Sequence, residues 1–213
     1  QSFLEQHPCL IPGAFSLGSR SGHHPYPCAV IAQAPLPSYN HRVPDFLWLS
    51  KSSELEQPVL IEIEAPGKRW WTQKGQPTAY LTHALNQITE WKAWFNASHN
   101  VLTFKSFYGL DREAWLGRTF RPAYALIYGR RAEANATATL TTKRANMRGE
   151  DVVLMTYDSP DAEGGEFFCM KKEGNDFRAI SVPPTMTWNP YLARDRADIR
   201  DKETAIAANQ HLT

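Results

Sequence analysis

The run Val59-Leu60-Ile61-Glu62-Ile63-Glu64-Ala65-Pro66-Gly67-Lys68 constrains the fold of this chain more than any other stretch. Its apolar, β-branched residues predict a short strand, and Pro66-Gly67 stops it. Side chains on a strand alternate between faces, so Glu62 and Glu64 share one face while Ile61 and Ile63 take the other. Two neighbouring carboxylates repel each other. The arrangement is kept most readily where the face is solvated or where a cation sits against it. Upstream, Pro44-Asp45 opens a second apolar run, Phe46-Leu47-Trp48-Leu49, so a further acid stands at the start of another strand.

The two runs read as paired strands over 43–49 and 58–65, joined by a polar turn from Ser50 to Gln57, which suits an antiparallel hairpin. That hairpin places Asp45 and Glu62 near one end of the sheet, within reach of a single cation. Ahead of it, residues 1–7 predict a short helix stopped before Pro8, with Phe3 and Leu4 facing inward. Glu5 on that helix either is solvated or reaches toward the cation. Residues 12–42 are rich in Pro, Gly, Ser and His and contain a strand over 28–32. The adjacent His23-His24 have no partner at metal-ligand spacing and read as exposed loop residues.

After the hairpin, residues 68–76 form a polar connector in which Lys68, Arg69 and Lys74 interleave with Trp70 and Trp71. Cations for phosphates and rings for stacking make this a nucleic-acid grip; in the other reading one or both tryptophans pack back onto the domain. Residues 78–95 predict the clearest helix. Leu81, Leu85, Ile88 and Phe95 form one stripe, and Tyr80, Ala84, Gln87, Trp91 and Trp94 an adjacent one. Gln87 is the polar exception, either a surface residue or one pointing into a site. Residues 122–128 and 151–157 read as buried strands flanking a polar helix over 137–148, the alternation of a mixed α/β sheet. An added hairpin follows over 166–182, then one Ala-rich charged helix over 191–213.

A chain of 213 residues can build one domain with a full core. The net charge of +1 excludes a global electrostatic pull toward nucleic acid or membrane, so any such surface is a local patch. No apolar run approaches a membrane span. Three widely spaced cysteines, Cys9, Cys28 and Cys169, form no CxxC pair and read as free thiols of a reducing compartment. The opening Gln-Ser-Phe, without Met or a basic leader, is the expected look of a piece of a longer protein.

Acids at two strand ends suit Mg²⁺, which takes oxygen ligands and is commonly held by one or two carboxylates plus water and substrate phosphate. Asp45 and Glu62 would supply those carboxylates, and the Ile63 carbonyl a third oxygen. A metal so placed polarises a phosphate and activates water. A neighbouring cationic side chain then stabilises charge building on the phosphoryl oxygens.

Pro44-Asp45, then Glu62-Ile63-Glu64, then a helix carrying Gln87, resembles the PD-(D/E)XK nuclease superfamily. More narrowly, the chain resembles the nuclease domain of the Shedu family of bacterial anti-phage defence proteins. The likeness runs from Phe3-Leu-Glu-Gln-His-Pro8 through Asp45-Phe-Leu, Ile61-Glu-Ile-Glu-Ala-Pro66 and Gln87-Ile-Thr-Glu-Trp91. It continues to Ala125-Leu-Ile-Tyr-Gly-Arg130 and Met155-Thr-Tyr-Asp158, covering about residues 1–160. It implies an α/β, restriction-endonuclease-like fold with a mixed central sheet flanked by helices. Residues 1–160 would be the core, and 161–213 a C-terminal hairpin and helical extension of the same domain.

The resemblance also implies roles. Asp45 and Glu62 match the metal-binding acids, Gln87 the helix glutamine beside the site, and Glu5 an accessory acid. Glu64 occupies the position where the family usually has lysine. It would serve as third metal ligand or as base for the attacking water, while Lys68, past the Pro-Gly turn, would fold back to supply the missing charge. Lys68, Arg69, Trp70 and Lys74 would contact DNA. The implied cofactor is Mg²⁺ or Mn²⁺ and the implied activity DNA endonuclease cleavage in anti-phage defence. The implied setting is cytoplasmic, with no membrane contact, in a homo-oligomer such as a tetramer, with phage or plasmid DNA as partner. Two alternatives stand beside it: a DNA-binding or assembly module that has lost its chemistry, and a protein-interaction domain without DNA affinity.

Overall fold

A computed structural model of the chain describes residues 1–11, 25–38, 43–158, 168–182 and 199–208. His23-His24 lie outside the described residues, as does most of the stretch expected to form the C-terminal helix.

The expected hairpin forms with a tighter turn: both arms run farther toward the turn than expected and stop short of their expected outer ends. Strand β2 (Phe46–Lys51) and strand β3 (Leu55–Ile63) pair antiparallel, from Phe46 opposite Ile61 to Lys51 opposite Glu56. The turn shrinks to Ser52–Glu54 because the Ser52 hydroxyl accepts the Leu55 N–H at 3.0 Å and the Ser52 N–H donates to the Leu55 carbonyl at 2.8 Å. Ser50, Lys51, Glu56 and Gln57 are therefore in the strands, and only Ser52–Glu54 remain in the turn. Glu56, fully buried, is offset there by the Lys105 ammonium at 2.9 Å.

Burial of both sheet faces explains the near-continuous apolar run of β3. Val59 and Ile61 pack with Val30, Phe46 and Trp48 against Ile11 on one side. Leu60 packs with Ile31, Leu47 and Leu49 on the other, under helix α2 (Ala79–Phe95). Thr78 caps α2, its hydroxyl accepting the Leu81 N–H at 3.3 Å. Leu81, Ala84, Gln87, Ile88, Trp91, Trp94 and Phe95 are the buried residues of that helix. Tyr80, expected on the inward stripe, is exposed. A further helix, α3 (Ser98–Tyr108), packs Phe104 and Tyr108 beside it and ends at Gly109. It was not anticipated.

The late strands form as expected. Strand β5 (Ala123–Ile127) lies parallel to β3, and β6 (Val152–Met155) parallel to β5. The short β4 (Thr119–Phe120) also pairs with β3. Helices α4 (Arg131–Ala134) and α5 (Ala138–Asn146) connect β5 to β6. The hairpin of β7 (Phe168–Glu173) and β8 (Asp176–Ser181) joins the same sheet, because β7 pairs parallel with β1 (Pro25–Ala32). Where one long C-terminal helix was expected, the described residues hold a short strand β9 (Ile199–Arg200), paired with β8, and a short helix α6 (Lys202–Ala207). Asp201, with φ 60°, breaks the chain direction between them. The sheet order is β6-β5-β3-β2-β1-β7-β8-β9, a central mixed sheet flanked by helices.

At the N-terminus, α1 (Ser2–Gln6) forms, and Leu4 packs against the smaller core. Phe3 does not face inward. It is largely exposed and packs on the His7 ring at a centroid distance of 4.5 Å.

Candidate functional site

Three consequences of the sheet topology meet at one end. β3, β5 and β6 run parallel, so the residues following all three lie together, beside the residue that precedes the antiparallel β2. Those residues are Glu64–Lys68, Tyr128–Arg131, Thr156–Asp158 and Asp45, with Glu62, one residue before the end of β3, beside them. Continuing the β2–β3 register by one step makes Asp45 the cross-strand neighbour of Glu62. Alternation puts both on the face covered by α2.

Asp45 is held by its own hairpin: Oδ2 accepts the Ile63 N–H at 2.8 Å. Burial pushes its carboxyl pKa up, and the charges of Glu64 and Glu5 push the same way, against the lowering effect of the Ile63 bond. Glu62 is oriented by α2, because the Gln87 amide donates from Nε2 to Glu62 Oε2 at 2.7 Å. Gln87 is thus the polar residue of the buried helix stripe that points into the site.

Glu64, whose charge acts on Asp45, pairs with a lysine. The Ala65–Lys68 turn closes with the Lys68 N–H donating to the Ala65 carbonyl at 3.1 Å. This brings the Lys68 ammonium back to Glu64 Oε2 at 2.5 Å. The same ammonium lies 5.0 Å from the centre of the Tyr80 ring. Glu5 lies farther along the site: its charge reaches Asp45, while its backbone carbonyl accepts the Ser181 hydroxyl at 2.5 Å.

The connector expected to grip nucleic acid divides into exposed cations and buried rings. Arg69 and Lys74 are exposed, but Lys74 sits on a turn tied to α5 through Lys143 Nζ and the Gly75 carbonyl at 2.8 Å. Trp70 is not a stacking surface. It is fully buried, its indole N–H donates to the Tyr128 carbonyl at 3.0 Å, and its backbone N–H donates to Glu133 at 2.8 Å. Trp71 is buried too and donates from its ring to the Ala134 carbonyl at 2.9 Å. Burying a tryptophan with its N–H satisfied outweighs exposing it, since so large a ring dominates core energetics. The exposed ring at this end is Tyr80, 64% exposed.

Residues that were given no role in the sequence also reach the site. Tyr157 packs against the smaller core, and its phenol pKa is raised by burial first, then by the charges of Asp45 and Glu64. The Arg130 guanidinium lies 5.8 Å from the centre of that ring and donates to Asp158 at 3.0 Å. Asp158 also accepts the Arg131 N–H at 2.6 Å, which, ahead of Arg130 itself, holds its pKa below the usual carboxylate value. Arg130 and Tyr157-Asp158 stand at or just past the ends of the two late strands, inside the stretches through which the family likeness runs, and that position was their one signal in the sequence.

Among the described residues, no three His, Cys, Asp or Glu side chains converge so as to hold a metal ion. The three-acid set of Asp45, Glu62 and Glu64 is therefore not assembled; Glu64 is engaged by Lys68. The remaining pair fits a hard divalent cation, which needs only one or two carboxylates when water and phosphate complete its shell. The burial of Asp45 beside like charges fits as well, since a cation offsets what disfavours its ionised form.

The fold and site define an α/β domain with an acidic, amide-braced centre at one end of its central sheet. The chain belongs to the Shedu family: residues 1–159 match the family model described as Shedu protein SduA, C-terminal. That membership suggests a part in anti-phage defence. No curated protein and no solved structure matches the chain. Among the described residues, no helix is long and apolar enough to cross a membrane.

Proposed function

We propose that this domain is a metal-dependent DNA endonuclease of the PD-(D/E)XK type acting in anti-phage defence. One observation carries the reading: Asp45 and Glu62 are cross-strand neighbours on one face, and Gln87 fixes the orientation of Glu62. Asp45 and Glu62 would hold Mg²⁺ or Mn²⁺, which when bound polarises the scissile phosphate and acidifies water. Gln87 keeps the Glu62 carboxylate aimed, so little reorganisation is needed when substrate arrives. Lys68, returned by the Pro-Gly turn, offers a cation close to where the family usually has one. The substrate would be phage or plasmid DNA, and the setting a cytoplasmic homo-oligomer.

A second reading has its own observation. Lys68 is paired with Glu64, a pair of zero net charge, which favours a domain that holds DNA without cutting it. Full-length protein incubated with plasmid and with linear DNA, in Mg²⁺ or Mn²⁺, separates the two. Cleavage lost in Asp45→Ala supports the nuclease. Cleavage that survives Asp45→Ala overturns the site, and DNA binding without cleavage by the unaltered protein favours the second reading.

A further inference from the structure

The charge balance at the strand ends poses a problem for any phosphodiester chemistry there. Glu5, Asp45, Glu62 and Glu64 gather at this end, and Lys68 is engaged by Glu64. Even with a divalent cation the cluster stays formally anionic, and an entering phosphodiester adds another negative charge. Catalysis of that kind needs a preorganised cation aimed at the phosphoryl oxygens. The residue filling that need should sit at this end of the sheet, be reachable by substrate, and be held in place before substrate arrives.

Arg130 meets all three conditions. It follows β5, the strand next to β3, and its side chain is about half exposed, 55%. Two contacts fix its side chain. Asp158 accepts from Nη1 at 3.0 Å, and the Tyr157 ring lies 5.8 Å from the guanidinium carbon. The backbone beneath is locked, with the Tyr157 N–H donating to the Gly129 carbonyl at 3.1 Å and the Arg131 N–H to Asp158 at 2.6 Å. Tyr157 itself lies within electrostatic reach of Asp45 and Glu64, which ties the pair to the acidic centre. A guanidinium carries five N–H donors in a planar fork matched to phosphate, so a contact to Asp158 leaves capacity for an incoming oxygen.

We propose that Arg130, braced by Asp158 and Tyr157, is the phosphate clamp of this site, taking the electrostatic role that a lysine at position 64 would otherwise fill. Its fork binds non-bridging oxygens of the scissile or adjacent phosphate and stabilises the charge that builds on them. No bond to Arg130 forms or breaks. The proposal rests on the nuclease reading for its catalytic half, while its binding half stands without it.

The test uses the full chain, carrying Arg130→Gln, Arg130→Lys or the control Arg121→Gln. Arg121 is an exposed arginine before the opposite end of β5, with Glu150 at 3.8 Å. Cleavage is measured in Mg²⁺ or Mn²⁺, and binding of a short labelled duplex in Ca²⁺ across a salt series. Arg130→Gln is expected to lower kcat about 10²–10³-fold, the loss seen when one preorganised oxyanion donor is removed. It should also reduce the salt slope of binding by about 1. Arg130→Lys should recover the slope but not the rate, because it restores charge and not the fork. Arg121→Gln should behave as the unaltered protein.

An Arg130→Gln rate within about twofold of the unaltered protein overturns the proposal, as does an equal loss in Arg121→Gln. If the unaltered protein binds DNA without cutting it, the nuclease reading fails alone, and the salt slope decides the clamp. A slope lowered by Arg130→Gln but not by Arg130→Lys or Arg121→Gln sustains it, and an unchanged slope in Arg130→Gln, or no binding at all, overturns it.

Discussion

Gly129→Ala offers the sharpest test of how the strand ends are held together. Gly129 has φ +55°, and a Cβ added there would lie 2.7 Å from the Lys68 carbonyl oxygen, 2.8 Å from Trp70 Nε1 and 2.9 Å from Trp70 Cδ1. Two costs follow. The left-handed backbone conformation costs an alanine about 1 kcal/mol, and overpacking against a backbone carbonyl and a fully buried indole costs about 1–3 kcal/mol more. The expected loss is therefore about 2–4 kcal/mol. Gly174, at the tip of the β7–β8 hairpin, separates the two terms: its φ is +60° and nothing lies within 4 Å of an added Cβ. Gly174→Ala should cost only the conformational term, about 1 kcal/mol. Urea unfolding followed by tryptophan fluorescence gives both values from the shift in midpoint at unchanged slope. Equal losses for the two variants would refute the close approach of Gly129 to the Lys68–Trp70 turn. Because Gly129 also accepts from Tyr157, relief of the clash moves both Lys68 and Arg130, so a folded Gly129→Ala protein should lose cleavage as well.

Other variants test the site directly. Lys68→Ala should lower cleavage about 10²-fold while leaving Mn²⁺ affinity, read by calorimetry, unchanged; undiminished cleavage would remove Lys68 from the mechanism. Gln87→Leu abolishes the 2.7 Å bond to Glu62 and should weaken Mn²⁺ binding about 10–100-fold, the range found when a residue supporting a metal ligand is lost. Asp45→Asn should stabilise the metal-free protein at pH 7, because the folded-state pKa of Asp45 is raised and the ionised carboxylate is therefore a cost of folding. That cost is full above the folded pKa, shrinks as pH falls through it, and vanishes below the unfolded value of 3.8. Urea unfolding in chelator at pH 7 and at a pH below 3.8 should show the gain only at the higher pH, and a gain equal at both would refute the sign.

The parts of the fold legible in the sequence were those written by local periodicity. The β2–β3 hairpin followed from two apolar runs around a polar stretch, and α2 from its stripes. Helix α3 has the same kind of signal, Val101, Phe104 and Tyr108, but the polar residues between them masked it. What stayed illegible depended on partners distant in the chain. The parallel pairing of β7 with β1 has no turn to announce it. The burial of Trp70 depends on acceptors at Tyr128 and Glu133, so the connector read as an exposed grip when its rings belong to the core.

The same contrast explains the candidate site. The nearness of Asp45 and Glu62 was legible because it follows from strand register, and Gln87 stood out as the polar residue of a helix stripe, though the stripe left open whether it faced solvent or the acids. The source of positive charge was not legible, and the reason lies at position 64. A glutamate there draws Lys68 into a local pair four residues away, so the lysine's charge is shared with Glu64. Compensation then has to come from a neighbouring strand. β5 and β6 run parallel to β3, so their following residues are delivered to the same end, and the bond between Gly129 and Tyr157 sets them in register. Arg130 therefore reaches the site through sheet topology, while the acids reach it through the hairpin. A substitution at position 64 and one at position 130 should accordingly act on the same electrostatic quantity from separate elements. If both supply or remove charge at one phosphate, their effects on cleavage will be non-additive, as for groups that share a partner.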